Sequence, residues 1–434
     1  MTSILKTSTV LPAFLIALVL SFCSCGEKTP EEVEYIYEFH NQYTPTHTHH
    51  IIPDSVDLYV DYTTATEMKG KIKFYWEVMK PILAAKAQNY YAIKGQDISR
   101  EAGKVGELLA GVRNYENPDL KGVLKRIVGG DNEAILITDG ELIDPSTPYM
   151  KDSFKSWLMK GHDIFIASEP YFEGGKNGAA KKLFFFIFYD SRVENNICDY
   201  VKRMAKFNHY PKVSTLNLSI TPVVKGIHGG HSDPNSYVQA MVTRKGDMEL
   251  QEWSTGWEDK IERFIVNDKD PKGALLIDGL QLDRTSIAGV RITEVSEKVY
   301  NLNNEYTNFF NAKKTEQEVD SLIDPDVMEN FIVMDQNVFK RNSFLRLYFD
   351  KQNYNPADLT GNPYNYFKIA FFVSEIEQNM EKFRSKLEFD DRLKPGFKNV
   401  SVYESVKQTM EDPEITEFLA NTPFYSIYVK ALAR

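Results

Sequence analysis

The chain has 434 residues, with 51 basic and 61 acidic side chains and a net charge of −10. That length suggests two or three domains, and 27 Phe, 24 Tyr and 4 Trp give enough apolar bulk to exclude a fully disordered chain. The acidic excess argues against a general nucleic-acid binder, which needs cations to neutralise phosphates, and three cysteines are too few for a disulfide scaffold or a Cys-rich zinc site.

Residues 1–24 read as a signal peptide. Lys6 is a short basic start, and Val10 to Leu20 is apolar apart from Pro12. As a helix that run spans roughly 16 Å, too short for a hydrocarbon core of about 30 Å, so cleavage is favoured over a permanent span. The following Ser21-Phe22-Cys23-Ser24-Cys25-Gly26 resembles a bacterial lipobox, in which a cysteine becomes the acylated first residue. Cys25 follows small Ser24 and fits the role better than Cys23, which follows bulky Phe22. Lipidation at Cys25 implies a bacterial cell-envelope protein held on a membrane by its anchor, with the outer membrane favoured. Residues 25–53 then form a tether, acidic through Glu27, Glu31, Glu32, Glu34 and Glu38 and without apolar period. His47, His49 and His50 have metal-binding side chains, but their place in this tether reads as solvated linker.

Residues 54–206 alternate strands and helices. Ser55 to Asp61 is a β-prone run, and Glu67 to Gln88 has a helical period that Pro81 threatens to kink or end. Tyr90 to Ile93 is a second strand. Helical segments follow near Arg100 to Val112 and Asp119 to Val128. Ala134 to Thr138 is an apolar strand closed by Asp139-Gly140, and Tyr149 to Met159 is helical. Asp163 to Ala167 and Leu183 to Tyr189 are strands, and Glu194 to Phe207 is a helix carrying Cys198, which reads as a buried structural thiol. Strands that are apolar without alternation are covered on both faces, and the β-α-β rhythm predicts an α/β doubly wound parallel sheet. Such sheets bind ligands at the carboxyl ends of their strands.

Two polar loops follow such strands: Asp61-Tyr62-Thr63-Thr64-Ala65 and Thr138-Asp139-Gly140-Glu141. Here the chain resembles a von Willebrand factor A domain. That family places an Asp-x-Ser-x-Ser loop after its first strand, a Thr-Asp-Gly loop after a later one and a threonine on a separate loop, and together they form a metal-ion-dependent adhesion site. The resemblance implies that Asp61, Thr63, Asn117 and Asp139 hold Mg²⁺ or Mn²⁺ through hard oxygen ligands, with one position left for a partner carboxylate. Ala65 stands where the second serine belongs, and Asn117 where the separate threonine would be, so the site is degenerate. The alternative for these residues is a fold that has lost its metal, with Asp61 and Asp139 bonding backbone amides. A phosphoryl-transfer aspartate needs a second Asp two residues on, where Thr63 stands.

Residues 207–360 carry short runs with two-residue alternation, at Val213 to Val224, Tyr237 to Arg244, Ala274 to Leu280, Arg291 to Val299, Phe331 to Met334 and Phe344 to Asp350. Their Gly- and Asn-rich connections predict a mostly β, immunoglobulin-like sandwich. His228 and His231 read as a polar loop, and Trp253 and Trp257 as a packed turn. Residues 361–434 read as a small α+β part: a strand from Phe367 to Val373, a charged helix from Glu375 to Leu387, and strands at Asn399 to Val402 and Tyr425 to Val429. The expected function is non-enzymatic recognition of a protein partner by an envelope lipoprotein, with a divalent metal. The alternatives are a structural component of an envelope assembly without metal, and a metal-dependent hydrolase. Nucleic acid is not an expected partner.

Overall fold

The computed structural model describes residues 52–62, 72–105, 118–140, 147–172, 180–193, 195–226, 241–242, 248–251, 263–266, 274–278, 280–312, 319–325, 332–350, 364–390 and 398–432. The leader, Cys25 and most of the tether lie outside these residues.

The N-terminal region is built on β1 (Ile52–Asp61), β2 (Ala87–Lys94), β3 (Asp97–Arg100), β4 (Asn132–Thr138), β5 (Asp163–Phe172), β6 (Ala180–Tyr189) and β7 (Ser214–Leu218). They form one seven-stranded sheet in the order β3-β2-β1-β4-β6-β5-β7. β1 runs parallel to both β2 and β4, while the β2–β3, β4–β6, β6–β5 and β5–β7 pairs are antiparallel. The sheet is therefore mixed, with a parallel centre, and the expectation of a wholly parallel sheet is corrected. The reason is physical: Leu183 to Tyr189 is an unbroken apolar run because helices cover both faces of β6, and two-sided burial leaves the same pattern whichever way a strand runs. The region is also longer than its sequence pattern, because Ser214–Leu218 becomes the edge strand beside β5.

Among the described residues, two helices of this region cover each face. On one face a π-helical turn, Tyr75–Met79, leads into α1 (Lys80–Lys86), and α4 (Ile197–Ala205) lies alongside. Pro81 neither ends nor breaks this helix. The Lys80 N–H reaches back five residues to the Tyr75 carbonyl, so the missing proline N–H falls where π geometry gives way to α. On the other face are α2 (Leu120–Val128) and α3 (Lys151–Met159). In α2, Leu120, Val123, Leu124 and Ile127 form the buried stripe, and the Asp119 carboxylate caps the start by accepting the Gly122 N–H at 2.9 Å. Most of the helix expected from Arg100 to Val112 lies outside the described residues, which omit 106–117, and Asp97–Arg100, at its start, is instead the return strand of a hairpin.

The C-terminal region is assembled from separate sheets. The five-stranded one has the order Met248–Gln251, Arg263–Val266, Tyr425–Leu432, Tyr364–Gln378 and Val290–Asn301, and its Arg263–Val266 strand runs parallel to Tyr425–Leu432. A four-stranded antiparallel sheet joins Ile332–Met334, Leu347–Asp350, Ala274–Asp278 and Met241–Val242. Helices α5 (Asn303–Ala312) and α6 (Gln336–Asn342) fall between these strands in the chain. The expected charged helix from Glu375 is corrected. The strand runs on to Gln378, with Glu375 and Glu377 exposed and Ile376 half-buried between them, and only Arg384–Leu387 is an α-turn. Opposite, Arg291 pairs with Glu377 at 3.4 Å, so the charges belong to a ladder at the sheet surface.

Asn399 to Val402 is not a strand of any length. Lys398–Asn399 is a two-residue pairing, and Ser401 opens helix α7 (Ser401–Met410), followed by α8 (Pro413–Asn421). Both helices return to the N-terminal region and pack on α3, so Phe154 and Trp157 share one continuous core with Val402, Val406, Met410 and Ile415. The Ser405 hydroxyl accepts the Met150 N–H at 3.2 Å, and Asp412 lies 3.0 Å from Lys151 and 3.4 Å from Lys155.

Candidate functional site

Because β1, β2 and β4 are parallel, their carboxyl ends share one edge of the sheet. β1 ends at Asp61 and β4 at Thr138, with Val60 opposite Ile137 one residue earlier. The Asp61 side chain is fully buried there, and the Thr138 hydroxyl donates to its Oδ2 at 2.8 Å. The same hydroxyl accepts the Gly140 N–H at 3.1 Å. Asp139 is also buried, and Gly140 turns the chain with φ of +66°, a conformation that costs glycine nothing. Asp61 is thus tied directly to Thr138, the residue before Asp139. Thr63 and Asn117 lie outside the described residues. Asp119, two positions after Asn117, donates its N–H to the Gly95 carbonyl at the β2–β3 turn, which pins the start of α2 to the same edge.

Two features of this edge escaped the sequence reading. The first is a cover supplied by the far end of the chain. The Asn399 amide and the Ser401 hydroxyl each donate to the Gly140 carbonyl at 3.2 Å, and the Ser401 hydroxyl also donates to Asn399 Oδ1 at 2.9 Å. Val402 packs so closely that a Cβ on Gly140 would lie 2.8 Å from its Cγ2. No side chain caps the first turn of α7; Asn399 Oδ1 instead accepts the Ser401 N–H at 3.2 Å, a local turn that the short apolar look of Asn399 to Val402 conceals. The second is Glu169, near the carboxyl end of β5. It is buried, and its Oε2 accepts the Phe74 N–H at 2.9 Å at the start of the π-helical turn. Burial pushes its carboxyl above the ordinary range, against the pull of the Phe74 and Lys73 amides and the Lys212 charge. A polar pair, Ser168-Glu169, directly after the apolar run of β5 was the sequence sign of it.

The donor chemistry at the edge fits a hard divalent cation, since Asp61, Asp139 and the Thr138 hydroxyl all offer oxygen. Among the described residues no three His, Cys, Asp or Glu side chains cluster closely enough to hold a metal by themselves. The Thr138 hydroxyl is already engaged on both sides and serves to orient Asp61. Cys198 is buried on α4, and burial pushes its thiol up to about 12, which keeps it protonated and unreactive. The histidines of the tether, His228, His231, Trp253 and Trp257 lie outside the described residues. No family profile, curated protein or solved structure matches the chain.

Proposed function

We propose that this chain is a lipid-anchored bacterial envelope protein, non-enzymatic, whose von Willebrand factor A-like region recognises a protein partner at the edge formed by Asp61 and the Thr138-Asp139-Gly140 loop. The observation that carries the reading is the 2.8 Å contact between Thr138 and Asp61, which joins the two loops of the resemblance at the ligand-binding edge of an open sheet. In this reading Asp61, Thr63, Asn117 and Asp139 hold Mg²⁺ or Mn²⁺, and the ion supplies a Lewis-acid position for a partner carboxylate. The chain's own work is to orient the buried Asp61 through the Thr138 hydroxyl. The Cys25 anchor and the acidic tether hold the domain at the membrane surface. Mg²⁺ or Mn²⁺ is expected to raise the thermal midpoint by several degrees, and Asp61→Ala to remove that response. An unchanged midpoint in the parent chain sinks the metal.

A second reading, a structural component of an envelope assembly without metal, is favoured by one observation: Asn399, Ser401 and Val402 already close over Gly140. Recovery from native membranes separates the two. A partner lost on chelation supports the first reading, and a partner retained in chelator supports the second.

A further inference from the structure

The chain carries a net charge of −10, yet the helical face made by the Tyr75–Met79 turn, α1, α4 and the turn after α4 is basic. It presents Lys73, Lys80 and Lys86 from one segment and Lys202, Arg203, Lys206 and Lys212 from the other. Two carboxylates lie among them on these segments, and both have local duties. Glu77 lies 3.7 Å from Lys73 and accepts the Tyr210 hydroxyl at 3.0 Å, while Asp199 accepts the Asn196 amide at 2.9 Å at the start of α4. Glu169, beneath Lys212, is buried against the Phe74 amide.

Five of the seven cations, Lys73, Lys80, Lys86, Lys202 and Arg203, are set on aromatic rings, and Lys73 also pairs with Glu77. Lys80 lies 4.2 Å from the Trp76 ring, and Lys86 and Arg203 bracket Tyr200 at 4.7 and 5.6 Å. Lys73 lies 5.9 Å from Tyr210. The rings are half-buried, and beside them Met204 is 52% exposed. Cations above half-buried Trp and Tyr rings, with exposed Met204 on the same helix as Tyr200, match the charge and polarity of a membrane interface. The orientation agrees. The chain enters β1 beside Asn132, and α4 starts at that same edge, where Glu133 accepts the Ile197 N–H at 2.9 Å. The face therefore begins where the tether joins the domain.

From this charge complementarity we infer that the α1–α4 face docks on anionic phospholipid headgroups and lays the domain against the bilayer. The inference is independent of the metal, and it is tested without the anchor. The full chain carrying Cys25→Ser is mixed with vesicles containing phosphatidylglycerol, and separately with vesicles of phosphatidylcholine alone. Each Lys or Arg near an anionic surface contributes a factor of about five. Binding to the phosphatidylglycerol vesicles is therefore expected to be at least about a hundredfold tighter, and to weaken steeply with salt. Lys202→Glu/Arg203→Glu/Lys206→Glu should lose about a hundredfold. Lys80→Glu/Lys86→Glu/Lys212→Glu, drawn mainly from a different element, should do the same, so a folding defect in one variant cannot decide the matter. Lys121→Glu/Lys125→Glu, on α2 across the sheet, should stay within about threefold of the parent. Equal binding to both vesicle types, or reversals that bind like the parent, overturn the inference. So does tighter binding to a DNA duplex than to the anionic vesicles.

Discussion

In the region from β1 to β7, consecutive stretches of sequence build the sheet and its two helical covers, and the apolar runs follow each other at the pace of a layered fold. In the region after β7, the five-stranded sheet joins Arg263–Val266 to Tyr425–Leu432, and Val290–Asn301 to Tyr364–Gln378, across long separations. Its last helices bridge the two regions, packing on α3 while α8 also lies against the Tyr364–Gln378 strand and Gln378 donates to the Met410 carbonyl at 3.0 Å. The difference shows that local periodicity reports how a segment is buried, whereas pairing over long separations is decided by the whole chain. Chain ends that return in this way also put residues where no local pattern points, and the cover over Gly140 is such a case.

The seam between the regions is the place to break that comparison. Gly140→Val sets a branched side chain into a backbone with φ of +66°, where Val402 and the Phe184 ring leave no room. A loss of about 3 kcal/mol is expected in urea unfolding. The change strikes the contact between regions, so the variant is expected to unfold in two steps where the parent unfolds in one. Gly130→Ala, which meets only the Arg126 and Ile127 carbonyls at 3.4 and 3.5 Å, should stay within about 1 kcal/mol. An equal loss at both positions would mean that the seam has no special weight.

What was legible in the sequence follows the same division. The strand Ala134 to Thr138, the helix from Asp119 and the buried Cys198 were readable because each shows its burial in a few neighbouring residues. The meeting of Asp61 with the Thr138-Asp139 loop was readable because parallel strands put their carboxyl ends together. The antiparallel course of β6 was not, since burial on both faces erases direction. The strand through Glu375 and Glu377 was not, because exposed charges alternating with apolar residues near a sheet end resemble a solvated helix face. Asn399 and Ser401 were beyond reach, because their duty depends on a loop more than 250 residues earlier in the chain.

Inside the sheets the regions differ again. The N-terminal acids sit at strand ends, where hydroxyls and amides meet them, whereas Lys368 lies in the middle of Tyr364–Gln378, buried between Tyr300 and Tyr428 as its cross-strand neighbours. Burial pushes its ammonium from 10.5 down to about 8. Between these values the unfolded chain binds more protons than the folded one, so stability should rise as pH climbs from about 8 toward 10.5. Lys368→Met keeps the length, removes the charge and should abolish that rise. At pH 7 it should add about 3 kcal/mol, about 1.4 for each pH unit between about 8 and 10.5. A destabilised Met variant would show that the ammonium is needed by its neighbours.

The smallest effect sharpens the comparison at the clamp between α3 and α8. The Asp412 carboxylate accepts the Glu414 N–H at 3.1 Å as the cap of α8, and faces Lys151 and Lys155. Burial pushes its carboxyl up, but the Lys151 contact, the Glu414 amide and the two lysine charges outweigh burial and hold it below the usual value. A depressed carboxyl contributes stability that is present above the ordinary carboxylate pKa and is lost as pH falls through the depressed one. Asp412→Asn preserves the cap, because asparagine caps as well as aspartate, and removes only the charge. The cost at pH 7 is expected to be about 1 kcal/mol, since both lysines keep partial contact with water. Parent and variant should then converge as acid protonates Asp412, in thermal midpoints measured from pH 7 down to pH 3. Midpoints that stay parallel across that range would mean that the clamp holds by its cap and its packing, and that the charges across the seam are incidental.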